Sequence, residues 1–336
     1  KAISLPKDLV KLARTLSKYY GAPIIDFLKL MLPPKVSVKK ELVFFACSDD
    51  VKISGRAFNQ KRIFEFLKDN SNVTARYIAD NLRMPVSSVR SALAALIKKE
   101  IICRNYQAIR RKPILISNVK QNKQIELTNE QQKALEEITK NYYNKKNTTL
   151  IYGVTGSGKT EVYIRVIEKV LLAGEKAIVL VPEISLTLQM LSAFRSRFPG
   201  KTAILHSKLS QGERFDEWNR INSGEASVIL GARSAIFAPV KNLGVIIIDE
   251  EHETSYKNGE HPYYDARTIA KFRAKKSNAM LVLGSATPSV ESFYKAATKE
   301  YLLVKLVRRV SGRLLPKMEI INMKKELKTG NRHIFS

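Results

Sequence analysis

The residues with the most explicit chemistry form a glycine-rich run, Gly-Val-Thr-Gly-Ser-Gly-Lys-Thr, at residues 153–160. Glycines at this spacing let backbone N–H groups turn inward around phosphate oxygens, and the start of a following helix adds a positive dipole. Lys159 would reach the β and γ phosphates of a nucleotide, and the Thr160 hydroxyl would bind Mg²⁺. We therefore predict a nucleotide-binding loop whose contacting residues are Gly153, Thr155, Gly156, Ser157, Gly158, Lys159 and Thr160.

A second set of candidate catalytic residues follows an apolar run. The aliphatic residues 245–248 lead directly into Asp-Glu-Glu-His at 249–252, the acidic motif, as in a buried strand that delivers carboxylates to a sheet edge. Asp249 would bind Mg²⁺ through water, and Glu250 would orient and deprotonate the water that attacks the γ-phosphate. A solvated acidic loop is the alternative, which the aliphatic run disfavours. The predicted catalytic residues are thus Lys159, Asp249 and Glu250.

The elements that would position these residues are short apolar strands separated by helical stretches. The predicted strands cover residues 148–152, 177–181, 202–205, 227–230, 245–248 and 280–283. Nearly continuous apolar strands that alternate with helices indicate an α/β fold, a parallel sheet with helices on both faces. Ligands of such sheets bind beyond the carboxyl ends of the strands, which is where both motifs would lie.

The first third of the chain reads differently. Residues 5–32 predict two short helices that are split at Gly21-Ala22-Pro23 and ended by Pro33-Pro34, and we assign residues 1–40 to a helical connector.

Residues 41–118 have the pattern of a winged-helix domain. A hairpin over 41–57, with Val51 and Ile53 in its second part, precedes three helices, the second capped by Thr74 with Tyr77 and Ile78 inward. A strand over 101–109 and the basic residues 110–112 would form the wing. The third helix, from Ser87, would point Ser88, Arg90, Ser91 and Lys98 toward a DNA duplex. The alternative is a winged helix that contacts only protein.

Charge favours a polyanionic partner. The chain of 336 residues holds 58 Lys and Arg against 31 Asp and Glu, a net charge of +27. So large a basic field is typical of proteins that neutralise nucleic-acid phosphates. A membrane surface is the weaker alternative, because no apolar run reaches the ~18 residues of a spanning helix and no signal peptide is recognisable. Cys47 and Cys103 lie far apart in sequence, so neither a disulfide framework nor a zinc site is predicted, and a reducing, cytoplasmic setting fits.

The Asp-Glu-x-His motif after a phosphate-binding loop resembles the second motif of superfamily 2 helicases. Residues 284–288, Gly-Ser-Ala-Thr-Pro, are similar to the Ser-Ala-Thr motif of that superfamily, and residues 127–131 resemble its glutamine element. The resemblance implies that Gln131 reads adenine. It also implies that nucleotide state is linked to the grip on DNA through His252, Ser285 and Thr287.

Further segments narrow the resemblance to the replication-restart helicases of that superfamily. These segments are 181–187, 205–207, 231–235, 255–257 and 264–267. The resemblance covers essentially the whole chain and implies a RecA-like first motor lobe over 119–336, preceded by the winged helix. It also implies an aromatic-rich loop over 256–267 that couples single-strand binding to ATP hydrolysis. The DNA-contacting residues implied here are Arg233, Tyr256, Lys257, Tyr264 and Arg267.

Physical chemistry supports such a loop, because aromatic faces stack on unpaired bases at ~1–3 kcal/mol per base and cations follow phosphates. Core packing is the alternative for Tyr263 and Tyr264. The family usually has a different residue in place of Asp265, so we assign Asp265 no role.

The expected activity is that of an ATP- and Mg²⁺-dependent 3′→5′ DNA helicase and translocase that loads the replication machinery at stalled forks. The expected partners are single-stranded and forked DNA, primosome proteins and single-strand-binding protein. The second motor lobe and the zinc-binding cysteines of the family are not recognisable, so we expect a partial chain that turns over little ATP by itself.

Two other classes of function stay open at this point. A winged-helix regulator would use its ATPase lobe only as a switch and would not unwind DNA, but the third helix has few base-reading side chains beyond Arg90. A P-loop kinase would need a site for the phosphoryl acceptor and a lid, and neither is recognisable in the sequence. A kinase would also leave residues 284–288 without a role.

Overall fold

The structure is a computed structural model that describes residues 5–34, 40–47, 57–108, 126–144, 148–310, 321–328 and 330. Buried apolar side chains form three clusters in this part of the chain. Two of them lie on the two faces of a large sheet, and the third belongs to a smaller domain.

Two N-terminal helices, α1 (Lys7–Tyr20) and α2 (Ile24–Met31), form a helical pair joined at Gly21, whose φ of 64° ends α1 in the left-handed conformation. Their buried faces pack in the same cluster as the sheet residues Ile246 and Ile248. The buried side chains are Leu9, Leu12, Leu16, Phe27 and Met31. The predicted connector is therefore a packed layer of the lobe, because its apolar stripes are wide enough to cover a sheet face.

The smaller domain contains β1 (Lys40–Ala46), α3 (Phe58–Asp69), β2 (Val73–Thr74), α4 (Ala75–Leu82), α5 (Val86–Lys98) and β3 (Ile102–Ala108). Its antiparallel sheet has the order β2-β1-β3. The three predicted helices are confirmed, and Thr74 caps α4 by accepting a hydrogen bond from the Tyr77 N–H. This arrangement agrees with a winged helix, and the assignment of residues 41–118 to a DNA-binding domain stays a prediction.

Some expectations for this domain need correction. Tyr77, predicted to face inward, is 48% exposed, whereas Ile78 is buried, because the short α4 turns only a narrow stripe toward α3 and α5. Val51, Ile53 and the basic residues 110–112 lie outside the described residues.

The cysteines also depart from expectation. Residues far apart in sequence meet because β1 pairs with β3 from Lys40 opposite Ala108 to Ala46 opposite Ile102. This pairing brings Cys47 and Cys103 together as a disulfide with a Cα–Cα distance of 5.7 Å. Sequence separation was thus a poor guide to their spatial separation.

The larger lobe begins with α6 (Asn129–Tyr143), β4 (Thr149–Gly153), α7 (Lys159–Leu172), β5 (Lys176–Leu180), α8 (Leu188–Arg197), β6 (Thr202–Leu205), α9 (Gln211–Ser223), β7 (Val228–Gly231) and β8 (Leu243–Ile248). It continues with the short strands β9 (Lys257–Asn258) and β10 (Tyr264–Asp265), then α10 (Ala266–Ser277), β11 (Met280–Ser285), α11 (Val290–Ala297), β12 (Leu302–Leu306) and α12 (Met323–Lys328).

Seven parallel strands form the main sheet in the order β12-β4-β11-β8-β5-β7-β6. Buried residues of α6, α7 and α8 cover one face, and those of α1, α2 and α10 cover the other. All six predicted strands are confirmed, as is the α/β, RecA-like fold. The seventh strand, β12, was not predicted, because Lys305 interrupts its apolar run. Among the described residues, no helix has the length and apolar character needed to cross a membrane.

The packing of the helical pair can be tested with Trp218, the only tryptophan of the chain, whose Nε1 donates to the Met31 carbonyl at 3.0 Å. We expect Leu12→Ala to destabilise the lobe by about 2–5 kcal/mol, because it opens a cavity against the sheet. Urea unfolding followed by Trp218 fluorescence measures the loss. Leu172→Ala, at a leucine that is 82% exposed, is the control. Equal midpoints for the two variants would contradict the packed-layer assignment.

Candidate functional site

Parallel strand pairing brings the predicted motifs together at one sheet edge. Strand β11 lies between β4 and β8, with Gly284 opposite Ile151 and Leu283 opposite Ile248. The phosphate-binding loop leaves β4, Ser285 ends β11, and Asp249 directly follows β8. The three segments are therefore neighbours, as the sequence predicted.

The phosphate-binding loop has the geometry of an anion cradle. Gly156 and Gly158 have φ of 81° and 80°, a region that glycine adopts without strain. Lys159 begins α7, and its Nζ donates to the Gly153 carbonyl at 2.8 Å. The Ser157 hydroxyl is buried and has no hydrogen-bond partner among the residues that the structure describes. A cation and a buried hydroxyl on a glycine-rich loop at the start of a helix fit a phosphate chain.

Asp249 is held by aromatic hydroxyls. Tyr163 donates its hydroxyl to Asp249 Oδ1 at 2.9 Å, and Tyr256 donates to the Asp249 carbonyl at 2.6 Å. Burial raises the pKa of Asp249 above its ordinary value, and the nearby Glu250 adds to the rise. Tyr163 was not singled out in the sequence, because helical spacing marks it only as a core residue.

Glu250 faces the lysine of the phosphate-binding loop. Its Oε1 lies 3.5 Å from Lys159 Nζ, and its φ of 44° places a non-glycine residue in the left-handed region. Such a conformation costs about 1 kcal/mol or more and is frequent at active sites, where surrounding contacts impose it. The predicted catalytic residues Lys159 and Glu250 are thus adjacent.

The donors available for Mg²⁺ are of the right kind. Magnesium is usually held by one or two carboxylates together with substrate phosphates and water. Asp249 supplies a carboxylate at the sheet edge, and Thr160 follows Lys159 at the start of α7. Among the described residues, no group of three or more His, Cys, Asp or Glu side chains could hold a metal by itself. Magnesium binding by Asp249 and Thr160 stays a prediction.

The three predicted coupling residues meet. The Ser285 hydroxyl lies 2.7 Å from His252 Nδ1 and accepts a hydrogen bond from the Thr287 N–H at 2.9 Å. His252 Nδ1 also lies 3.7 Å from Glu250 Oε2. A contact therefore runs from the predicted catalytic base to the end of β11.

Glu251 carries a second link that the sequence did not reveal. Its carboxylate is buried and accepts hydrogen bonds from the Ser289 N–H and from the Ser289 and Ser292 hydroxyls. These bonds join the acidic motif to the first turn of α11, so Glu251 stabilises the segment that follows Thr287. An Asp-Glu-Glu run alone does not show which carboxylate turns inward.

Gln131 uses the two ends of its amide to join the start of its own helix to the phosphate-binding loop. Its Oε1 accepts from the Thr128 N–H at 2.9 Å, completing a capping box, and its Nε2 donates to the Ser157 carbonyl at 3.0 Å. The Thr-x-x-Gln spacing is the signal for this capping role. Adenine recognition by Gln131 stays a prediction, since the structure shows the amide engaged within the protein.

Two predicted DNA-stacking tyrosines are buried. Tyr256 is fully buried, and its hydroxyl also donates to the Leu180 carbonyl at 3.1 Å. Tyr264 is buried edge-on against Phe237, with ring centroids 5.2 Å apart. Neither ring offers a face to a base, so stacking is corrected to core packing for both. Tyr263 is instead 64% exposed.

The arginines of the aromatic-rich loop, residues 256–267, also make internal contacts. Arg233 donates to the Lys257 carbonyl at 2.6 Å, and its guanidinium lies 5.7 Å from the centroid of the Tyr264 ring. Arg267 binds both carboxylate oxygens of Asp265 and donates to the Glu251 carbonyl at 2.9 Å. Arg233 therefore holds the loop, and Arg267 ties it to the acidic motif. Their DNA contacts stay predictions.

The helical pair clasps the same loop from another side. Asp26 Oδ2 lies 2.9 Å from His261 Nε2, and this hydrogen bond is the main cause that lowers the pKa of Asp26. The Tyr20 hydroxyl accepts from the Asp265 N–H at 3.1 Å. These contacts add to those of Tyr256 and Arg267, and the side chains of the loop that stay exposed include Lys257 and Tyr263.

Arg90 lies apart from this site, in the winged-helix domain. It is exposed on α5 and, with Arg76 and Arg104, lines a groove of about 920 Å³ next to α4 and β1. The predicted duplex contact of Arg90 is compatible with this exposure and stays a prediction.

The raised pKa of Asp249 has a consequence for stability. A buried carboxylate with a raised pKa destabilises the folded state once it ionises, so stability falls as pH rises through the folded-state pKa. We expect Asp249→Asn, which keeps an acceptor for Tyr163, to raise Tm by a few degrees at pH 7 without nucleotide. The gain should shrink as the pH falls toward the ordinary Asp pKa of ~3.9, below which Asp249 is protonated in both the folded and the unfolded state.

Thermal unfolding across this pH range checks the expectation, with Asp69→Asn at an exposed position of α3 as the control. A Tm for Asp249→Asn that is equal to or below that of the parent at pH 7 would contradict it.

The chain resembles known proteins over most of its length. The family model described as the res subunit of type III restriction enzymes matches residues 124–290. The replication restart protein PriA of Bacillus subtilis is 43% identical over 285 residues, which cover 84% of this chain and 35% of that protein. PriA of Chlamydia muridarum is 35% identical over 353 aligned residues, which cover 100% of this chain and 46% of that protein.

A further relative is also a replication restart protein. PriA of Synechocystis is 48% identical over 194 residues, 56% of this chain and 23% of that protein. The chain thus spans less than half the length of these relatives. Among solved structures, RecG bound to a three-way DNA junction is 23% identical with a TM-score of 0.46, covering 61% of this chain and 27% of that one.

Proposed function

The chain belongs to the PriA-like helicases, and on that premise we propose that it is the ATP-binding motor lobe and winged helix of a replication-restart DNA helicase. One observation carries the proposal. Lys159 of the phosphate-binding loop and Glu250 of the acidic motif face each other at 3.5 Å, at the sheet edge where His252 also meets Ser285.

Within this proposal, each residue has a definite task. The loop amides and Lys159 bind the phosphates of ATP, and Lys159 exchanges its hydrogen bond to the Gly153 carbonyl for one to a phosphate oxygen. Glu250 accepts the proton of the attacking water. Magnesium, when bound by Asp249 and Thr160, neutralises charge on the phosphates.

DNA engages the lobe, we propose, through the exposed side chains of the aromatic-rich loop, Lys257 and Tyr263. The loop is bonded to the acidic motif through Arg267 and the Glu251 carbonyl. Tyr256 adds a bond to the Asp249 carbonyl. A strand that shifts the loop therefore pulls on residues next to the catalytic carboxylates.

Family membership alone supports the finer parts of the proposal. These are translocation in the 3′→5′ direction, action at stalled forks, single-stranded and forked DNA as substrates, and primosome and single-strand-binding proteins as partners. The proposal includes a cytoplasmic setting, with the same support.

The catalytic assignment is tested by two variants made in a full-length helicase, because we expect this chain to turn over little ATP by itself. Lys159→Ala should abolish ATP binding, because it removes the phosphate-binding cation. Glu250→Gln should keep ATP binding while single-turnover hydrolysis falls about 100-fold or more, the contribution of a general base. Binding of fluorescent ATP and quenched-flow hydrolysis give the two readouts. Hydrolysis that is unchanged in Glu250→Gln would overturn the role of the base.

The DNA contact is tested by a matched pair of tyrosines. Tyr263→Ala should weaken binding of a labelled single-stranded oligonucleotide by about 1–3 kcal/mol through lost stacking. Tyr143 on α6 is equally exposed, 63% against 64% for Tyr263, so Tyr143→Ala is the control. Anisotropy titrations at one fixed salt concentration compare them. Equal affinities for the two variants would remove Tyr263 from the DNA interface.

A further inference from the structure

The segment after β12, residues 307–310, lies on the phosphate-binding loop. The Val154 N–H donates to the Leu306 carbonyl at 3.1 Å, and the Val310 N–H donates to the Gly156 carbonyl at 3.0 Å. A side chain on Gly158 would also meet Val310, at 3.1 Å from its Cγ2. Residues 307–310, which follow the last strand of the sheet, thus cover the phosphate-binding loop.

The two arginines of this segment have different surroundings. The Arg308 side chain is 87% exposed, with its Nε 3.6 Å from Glu130 Oε1. Arg309 is partly buried, and its Cγ lies 3.9 Å from the place that a Cβ on Gly156 would take. The Arg309 Nε is shielded from solvent and has no hydrogen-bond partner in the described residues.

An N–H donor that is shielded from solvent and has no partner is costly, and folded proteins rarely contain one. A second buried and unpaired polar atom, the Ser157 hydroxyl, belongs to the phosphate-binding loop itself. Both groups could be satisfied by the same anionic ligand at this loop. Arginine offers a planar set of donors that matches phosphate oxygens.

We propose that Arg309 is a second cationic ligand of the nucleotide, donating to its phosphate chain beside Lys159. The assignment rests on the proposed ATP site and adds a residue from an element that follows the last strand of the sheet. A contact between Arg309 and the phosphate chain would not discriminate between nucleotides that differ in their base.

The test compares nucleotide affinity among variants of the 336-residue chain. We expect Arg309→Ala to weaken ATP about tenfold, the loss of a charge-assisted hydrogen bond. Arg309→Lys, which keeps the charge, should recover part of the loss, and Arg308→Ala should bind as the parent does. Displacement of fluorescent ATP by unlabelled ATP and by UTP, with Mg²⁺, measures the affinities, and matching thermal unfolding confirms that each variant is folded.

The ratio of ATP to UTP affinity identifies the contact. A phosphate contact predicts that Arg309→Ala weakens both nucleotides by the same factor. A loss confined to ATP would show a base contact and overturn the proposal, as would affinities equal to those of the parent. A parent chain that binds no nucleotide would instead overturn the proposed function, and this inference with it.

Discussion

Three neighbouring strands, β4, β11 and β8, end side by side in one parallel sheet, and the contacts of the site depend on that pairing. Each strand is buried on both faces, so a one-residue shift in register would move its side chains into the opposite cores and disrupt the packing of both. The register therefore fixes where Gly153, Ser285 and Asp249 emerge. The strand order alone therefore brings together the phosphate-binding loop, a pair of carboxylates and a hydroxyl.

From this edge, hydrogen bonds extend outward to the surface. Tyr163 and Tyr256 hold Asp249, Arg267 reaches the Glu251 carbonyl, and Arg233 holds the loop between them. The helical pair then fixes the far end of the loop through Asp26 and Tyr20. The phosphate-binding loop, the acidic motif and the aromatic-rich loop are thus joined by ion pairs and hydrogen bonds within one lobe. In the proposed helicase, such a connection would link the nucleotide state to DNA binding.

Local patterns predicted what depends on local chemistry. The glycine spacing gave the loop, the aliphatic run gave the strand before Asp249, and helical periodicity gave the three helices of the winged domain. Two features that depend on pairing between distant segments were not predicted from the sequence. Strand β12 contains Lys305, which breaks the apolar run, and the meeting of Cys47 with Cys103 requires knowing that β1 pairs with β3.

The direction of side chains was a further feature that the sequence did not predict. An aromatic-rich loop indicates that rings are available, but not which of them turn inward, and so Tyr256 and Tyr264 were assigned to DNA although both are buried. Likewise, the apolar stripes of α1 and α2 predicted helices without showing that a sheet face lay beneath them. Burial depends on what the rest of the chain places opposite a residue, which a single stretch of sequence does not contain.

The central claim is that binding of a nucleotide at the phosphate-binding loop alters the conformation or the stability of the aromatic-rich loop. Amide hydrogen exchange of this chain, with and without ATP and Mg²⁺, tests it most directly. The account predicts a changed exchange rate at residues 256–267 as well as at 153–160, while β1 and β3 of the winged-helix domain stay unchanged. A change confined to residues 153–160 would contradict it.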